Sequence, residues 1–271
     1  MGELIALDRN EGADLANGDA LIQTVRNHAP QVIVNAAAYT AVDKAEAESA
    51  LAQHVNGIAP GLLAAEAVRL GALLVHYSSD YVYDGGGDTP RSEDAPTAPL
   101  SVYGASKLAG DQAIQHSGCQ HLILRTAWVY GARGGNFAKT MLRLAAEREQ
   151  LKVIDDQIGA PTGADLLADL SAHMIRTARA NPELSGLYHA VAAGETSWHA
   201  YASRVIEFAR ARGKPLKVAA DQILPIPTSS YLTPAQRPLN SRLSTQKLQA
   251  AFGLTLPSWQ SGVERMLMEI L

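Results

Sequence analysis

Gly71-Ala-Leu-Leu-Val75-His-Tyr-Ser-Ser-Asp80 is an apolar run that ends in polar residues. Continuous apolar residues followed by hydroxyls and an acid read as a parallel strand, buried on both faces, whose carboxyl end carries Ser78, Ser79 and Asp80 into a crevice. In open α/β sheets, ligands sit at the carboxyl ends of strands. Outward from this stretch the chain alternates. Leu4–Leu7, Val32–Val34 (ending at Asn35), Leu73–Tyr77, His121–Arg125 and Leu187–Val191 read as strands. Gly18–Asn27, Ala45–Asn56, Pro60–Leu70, Val102–Gln115, Phe137–Glu147, Ala164–Ala180 and Ser197–Arg212 read as helices, the last with Ser197 as its cap. Such alternation predicts an α/β fold: a doubly wound parallel sheet of the Rossmann type, with helices on both faces. Leu224 to Pro238 carries four prolines and reads as a loop region. The sheet domain is expected over residues 1–130. A smaller α/β lobe is expected over 131–271, with some segments returning to the first domain.

A second stretch supplies chemistry. In Leu100-Ser-Val-Tyr-Gly-Ala-Ser-Lys107, Tyr103 and Lys107 are four apart at the start of a helix, so their side chains share one face. A lysine ammonium beside a phenol favours the phenolate and is expected to lower the tyrosine pKa from its usual value near 10. That would make Tyr103 a general acid or base. The plainer reading is an exposed helix pair, since the spacing is common by chance. The hydroxyl-rich strand end at Ser78 and Ser79, 24 residues before Tyr103 when counted from Ser79, favours the chemical reading.

Composition excludes several classes. The net charge of −4 comes without a basic stripe, so nucleic acid is not an expected partner. The single cysteine, Cys119, cannot form an internal disulfide, and a reducing cytoplasm is the simple inference. No signal-peptide pattern or long uncharged apolar run is present, so no membrane role is expected. His76, His173, His189 and His199 show no metal-ligand spacing and read as structural.

Six further stretches occur in order: Asn35-Ala-Ala-Ala-Tyr-Thr-Ala-Val-Asp-Lys-Ala-Glu46, Tyr77-Ser-Ser-Asp-Tyr-Val82, Arg125-Thr-Ala-Trp-Val-Tyr130, Asn136-Phe-Ala-Lys-Thr-Met-Leu142, Asp156-Gln-Ile-Gly-Ala-Pro-Thr162 and Arg237-Pro-Leu-Asn-Ser-Arg-Leu243. With Tyr103-x-x-x-Lys107, the chain resembles the extended branch of the short-chain dehydrogenase/reductases. Within that branch it is similar to the dTDP-4-dehydrorhamnose reductase family, from about Leu4 to the C-terminus. The resemblance implies reduction of dTDP-4-dehydro-β-L-rhamnose by NADPH or NADH, the last step of dTDP-L-rhamnose synthesis. It also implies a strand, a Gly-x-x-Gly-x-x-Gly loop and a helix ahead of the first visible strand. No glycine triplet in the sequence follows a strand and opens a helix, and Gly85-Gly-Gly87 reads as a flexible loop.

The resemblance assigns roles residue by residue. Tyr103 donates the proton, Lys107 tunes it and holds the nicotinamide ribose, and Ser79 orients the carbonyl oxygen; Thr is usual at that position. Asn56 is implied in a proton relay, although an Asn beside Gly57 equally suits a helix interruption. Asp8 and Arg9 would meet the adenosine ribose, and Asp14 and Leu15 would flank the adenine. Ala36, Ala37 and Ala38 would let the cofactor approach, with Tyr39 and Thr40 beside the nicotinamide ribose. Ser78, Asp80, Tyr81 and Trp128 would hold the nucleotide sugar, with Val42, Asn136 and Arg237 as further candidates. A guanidinium at Arg237 could grip a diphosphate, or simply form a surface ion pair. Mg²⁺ and a homodimer are further implications, with no ligand residues assigned. Three other readings stay open at this point: a sugar-nucleotide epimerase, a non-catalytic subunit of the same fold, such as the β subunit of methionine adenosyltransferase, and an inactive fragment.

Overall fold

The structure is a computed structural model and describes residues 2–271. Its helices are α1 (Gly18–His28), α2 (Val42–Ala45), α3 (Ser49–Gln53), α4 (Ala59–Leu70), α5 (Val102–Ser117), α6 (Phe137–Glu147), α7 (Ala164–Ala180), α8 (Trp198–Ala211), α9 (Gln246–Phe252) and α10 (Trp259–Ile270). Its strands are β1 (Val32–Asn35), β2 (Leu73–Ser79), β3 (His121–Thr126), β4 (Val129–Tyr130), β5 (Leu151–Ile154), β6 (Ile158–Gly159), β7 (Thr162–Gly163), β8 (Gly186–His189), β9 (Thr196–Ser197) and β10 (Ile223–Ile226). The principal sheet is parallel with the order β1-β2-β3-β8. Successive side chains of a strand point to opposite faces, and the central strands show it. Leu74 and Ile123 pack with Leu21, Val25 and Leu63 of α1 and α4. Leu73, Val75, Leu122 and Leu124 pack with Leu170, Met174 and Phe252 of α7 and α9. Apolar residues on both faces explain why these strands read as unbroken runs, and β8 brings residues 186–189 back to the sheet.

A smaller lobe is built on the parallel pair β5 and β10. Met141 of α6, Val205 and Ile206 of α8, and Tyr201 with Trp259 supply its cores. Among the described residues, no helix is long and apolar enough to cross a membrane.

Several sequence expectations need correction. Leu4–Leu7 forms no strand. It has no ladder partner among the described residues, and Leu4 and Ile5 are 86% and 50% exposed. A strand exists only by pairing, and β propensity alone does not make one. Ala45–Asn56 is not one helix: α2 and α3 are separate, and a π-helical turn over His54–Ile58 then leads into α4. The proline-rich stretch contains β10, and Pro225 sits there because β10 is paired only with β5, so a missing N–H costs no central ladder bond. Gly85-Gly-Gly87 is tethered as well as turned. Asn240 N donates to Gly85 O at 2.9 Å, and Arg91 donates to Gly86 O at 2.7 Å.

Candidate active site

β1, β2 and β3 run parallel side by side, so Ala36–Ala38, Ser78–Asp80 and Ala127–Trp128 follow at the same, carboxyl edge of the sheet. Helix α5 is pressed against it. Ser101 caps α5 by accepting from Gly104 N at 3.2 Å. A Cβ on Gly104 would lie 2.2 Å from Tyr81 O, so only glycine allows this approach. Tyr103 is thereby set beside the strand end, with its ring edge-to-face on Tyr81 at 5.4 Å between centroids. Ser79 Oγ accepts from Tyr81 N at 3.2 Å and donates to Asp80 Oδ1 at 3.1 Å. Asp80 Oδ2 and Ser78 Oγ are buried with no hydrogen-bond partner. Unpaired buried polar atoms are costly.

The charges correct one expectation. Tyr103 is pushed above its ordinary pKa, chiefly because burial disfavours a phenolate. The neighbouring Ser79 hydroxyl works the other way, and Asp80 adds to the rise. Lys107 does not relieve it, because its Nζ is committed elsewhere: it donates to Tyr77 O at 2.6 Å and to His76 Nε2 at 3.2 Å. Burial lowers Lys107 to about 8, partly offset by Asp111. Asp80 rises to about 6, also through burial, with the Ser79 hydroxyl working the other way. Tyr103 is therefore a neutral phenol at neutral pH, the form that gives a proton. An ammonium has only hydrogens to offer, so His76 Nε2 accepts and its Nδ1 carries the proton. Nδ1 lies 3.1 Å from Asn35 Nδ2, so this tautomer requires the Asn35 amide to be turned with its oxygen toward the ring.

Other predicted residues fall in different places. Ala36 and Ala37 are exposed at the end of β1. Asn56 accepts from Tyr39 N at 2.8 Å and donates to Tyr39 O at 3.0 Å and to Ser106 Oγ at 3.1 Å. It clamps the loop after β1, and its side chain is not aimed at Lys107. Tyr39 itself donates to Glu48, and Thr40 is exposed. Val42 begins α2, beside Asp43, which pairs with Arg237 at 2.7 Å. Arg237 also approaches the Tyr81 hydroxyl. Trp128 has φ +51° and stacks on Trp198 at 3.7 Å.

Five expected site residues take structural places. Asp8 opens a capping box, accepting from Asn10 N at 2.7 Å while Glu11 accepts from Asp8 N, and Arg9 lies inside that short turn. The strand end on which a ribose contact was expected is not formed. Asp14 accepts from Ala16 N at 2.9 Å, and Leu15 is packed in the core. Asn136 caps α6, accepting from Lys139 N at 3.0 Å and donating to Gly131 O at 2.7 Å. No group of three His, Cys, Asp or Glu able to hold a metal occurs among the described residues, so Mg²⁺ finds no ligand set there.

Sequence reading missed His76, Asp111 and Arg125 as parts of the site. The signal for Asp111 was present: it continues the Tyr103-Lys107 spacing by one more helical turn. His76 was a polar residue inside an apolar strand, where polar groups need partners.

The family described as RmlD substrate binding domain matches residues 1–271. A dTDP-4-dehydrorhamnose reductase of Shigella flexneri is 54% identical, over 100% of this chain and 91% of its own. One from Escherichia coli (strain K12) is 53% identical over the same shares. The crystal structure of a dTDP-4-dehydrorhamnose reductase from Bacillus anthracis in complex with NADP superposes with a TM-score of 0.86 at 34% identity, covering 97% of this chain and 92% of that one.

Proposed function

The chain belongs to the dTDP-4-dehydrorhamnose reductase family, and from that premise we propose that it reduces the C4 ketone of dTDP-4-dehydro-β-L-rhamnose to the alcohol of dTDP-β-L-rhamnose, using NADPH or NADH. The observation that carries this reading is a neutral Tyr103 beside Ser79 and Asp80 at the end of β2, with Lys107 buried one helical turn away. The bare Ala36–Ala38 strip, held by the Asn56 clamp on Tyr39, suits a flat cofactor, which supplies the hydride when bound. Tyr103 gives its proton to the C4 oxygen as negative charge develops there. Ser79 Oγ orients that oxygen. The unpaired Ser78 Oγ and Asp80 Oδ2 meet sugar hydroxyls. Lys107 brings a positive charge to the crevice and a donor for the cofactor ribose.

We assign the cofactor to residues 1–130 and the nucleotide end of the substrate chiefly to 131–271. Arg237, now neutralised by Asp43, would be shared with a diphosphate, and Trp128 on Trp198 offers a flat apolar wall. The lone buried thiol of Cys119 is in keeping with a cytoplasmic setting. A panel of nucleotide 4-keto sugars, followed by NADPH absorbance, tests the assignment. The deoxythymidine-linked L-rhamno sugar should be turned over best. Preference for a uridine-linked sugar, or epimerisation without net cofactor consumption, would overturn it.

A further inference from the structure

Leu74 and His76 are two apart on β2, so they face the same side of the sheet. Leu74 packs there with Ile123 of β3 and Ile114 of α5. The next position on that face holds an imidazole instead of an aliphatic group. His76 is 1% exposed, and its ladder neighbours are Asn35 on β1 and Ile123 on β3. A polar pair on a buried face needs partners. Asn35 Nδ2 lies 3.1 Å from one ring nitrogen, Nδ1, and Lys107 Nζ lies 3.2 Å from the other, Nε2. Lys107 is 2% exposed, and its Nζ also donates to Tyr77 O at 2.6 Å. Both acceptors come from consecutive residues of β2. An ammonium has three hydrogens, so β2 takes two of them and leaves one. An asparagine amide does not pass a proton onward, so the ring between Asn35 and Lys107 is a brace and not a conduit.

We propose that His76 is a positioning residue for this reaction: braced by Asn35, its Nε2 acts with Tyr77 O to fix the Lys107 ammonium, so that the third hydrogen serves the cofactor ribose. The proposal rests on the reductase reading for what that hydrogen meets, and on hydrogen bonds for where the ammonium stands. Asn35 is the last residue of β1, and Ala36–Ala38 follow it directly. The brace therefore starts beside the strip assigned to the cofactor. The other titratable groups about Lys107 are Tyr103 and Asp111, one turn to either side on α5, and Asp111 accepts from Arg125 of β3 at 3.0 Å. Burial and the Lys107 charge hold His76 well below its ordinary value. The ring therefore stays neutral and keeps a lone pair for the ammonium.

Two substitutions separate the ring nitrogens. His76→Gln keeps an acceptor at the reach of Nε2, whereas His76→Asn keeps only the end that meets Asn35. In the whole protein labelled at lysine Cε and Nζ, the Lys107 ionisation is followed by NMR and assigned with Lys107→Arg. An acceptor favours the charged form, so His76→Asn should lower the midpoint by about one pH unit, and His76→Gln should hold it within about 0.3 of the parent. In the reductase assay His76→Asn should raise the NADPH KM and lower kcat, each by about 5–20-fold, and keep the sugar-nucleotide KM within about twofold; His76→Gln should recover most of both losses. Ring ¹⁵N shifts of the unsubstituted protein, assigned with His76→Gln, cover the case in which His76→Asn does not fold. At pH 7 Nδ1 should carry the proton and Nε2 should be bare. A proton on Nε2 at pH 7, an unchanged midpoint in a folded His76→Asn protein, or equal losses in His76→Asn and His76→Gln would overturn the proposal. A lowered midpoint in a protein that reduces no keto sugar would support it and overturn the reductase reading alone.

Discussion

Tyr103, Asp80 and Lys107 lie about the carboxyl end of β2, and burial drives each toward its uncharged form: the phenol and the carboxyl upward, the ammonium downward. Replacing Tyr103 by Phe removes the proton donor and little else. We expect the rate to fall by about 10²–10⁴-fold with sugar-nucleotide binding nearly intact, as measured by initial rates and a binding titration. Asp80 has a folded value of about 6 against an ordinary 3.8. Its ionisation therefore opposes folding: the penalty is absent below the ordinary value and complete above the folded one. Asp80→Asn should stabilise the protein at pH 7–8 by on the order of 2–3 kcal/mol, with the gain fading as pH falls through the folded value. The same change should raise the sugar KM. Thermal melts at several pH values check the first part, and an Asn variant no more stable at pH 8 than the parent would contradict it. The Tyr103 and Lys107 pair was legible in sequence because helical spacing is a strict rule. The direction of the tyrosine shift was not, because it depends on where Lys107 Nζ finds its partners, and those lie on β2.

At the scale of elements, α5 is positioned by two glycines. A Cβ on Gly110 would sit 2.2 Å from Asn56 O, and that oxygen is rigid backbone of the π-helical turn. Gly110→Ala should therefore force α5 from this turn, destabilise by about 2–3 kcal/mol and weaken cofactor binding through the Asn56 clamp on Tyr39. Gly118, with φ +76° and open space around it, is the control: its alanine variant pays only the left-handed backbone strain of about 1 kcal/mol. Urea unfolding of both variants decides, and equal losses would contradict the close-approach account. Strands buried on both faces and amphipathic helices were readable, since their patterns follow from burial. The failures have a common cause. Leu4–Leu7 looks like a strand but lacks a ladder partner among the described residues, and β10 hides among prolines because one-sided pairing tolerates them. Asp8 and Asn136 are good capping residues, so a site reading and a cap reading compete for the same side chain.

At the scale of the molecule, the proposed function has the sheet domain supply the reacting groups and the smaller lobe the wall opposite, with the β1, β2 and β3 ends between them. The fold class and the family were readable because ordered motifs span the whole chain, whereas the ion pair of Asp43 with Arg237, across 194 residues, was not. The account predicts that the substrate and not the cofactor alone completes the crevice, by pairing Asp80 and Ser78. The most direct measurement is the fate of the transferred hydrogen. The protein is incubated with dTDP-4-dehydro-β-L-rhamnose and deuterium-labelled NADPH, and the product is read by NMR. We predict one deuterium at C4 of dTDP-β-L-rhamnose for each NADPH oxidised, abolished by Tyr103→Phe. Deuterium at another carbon, or a product formed without NADPH oxidation, would contradict the account.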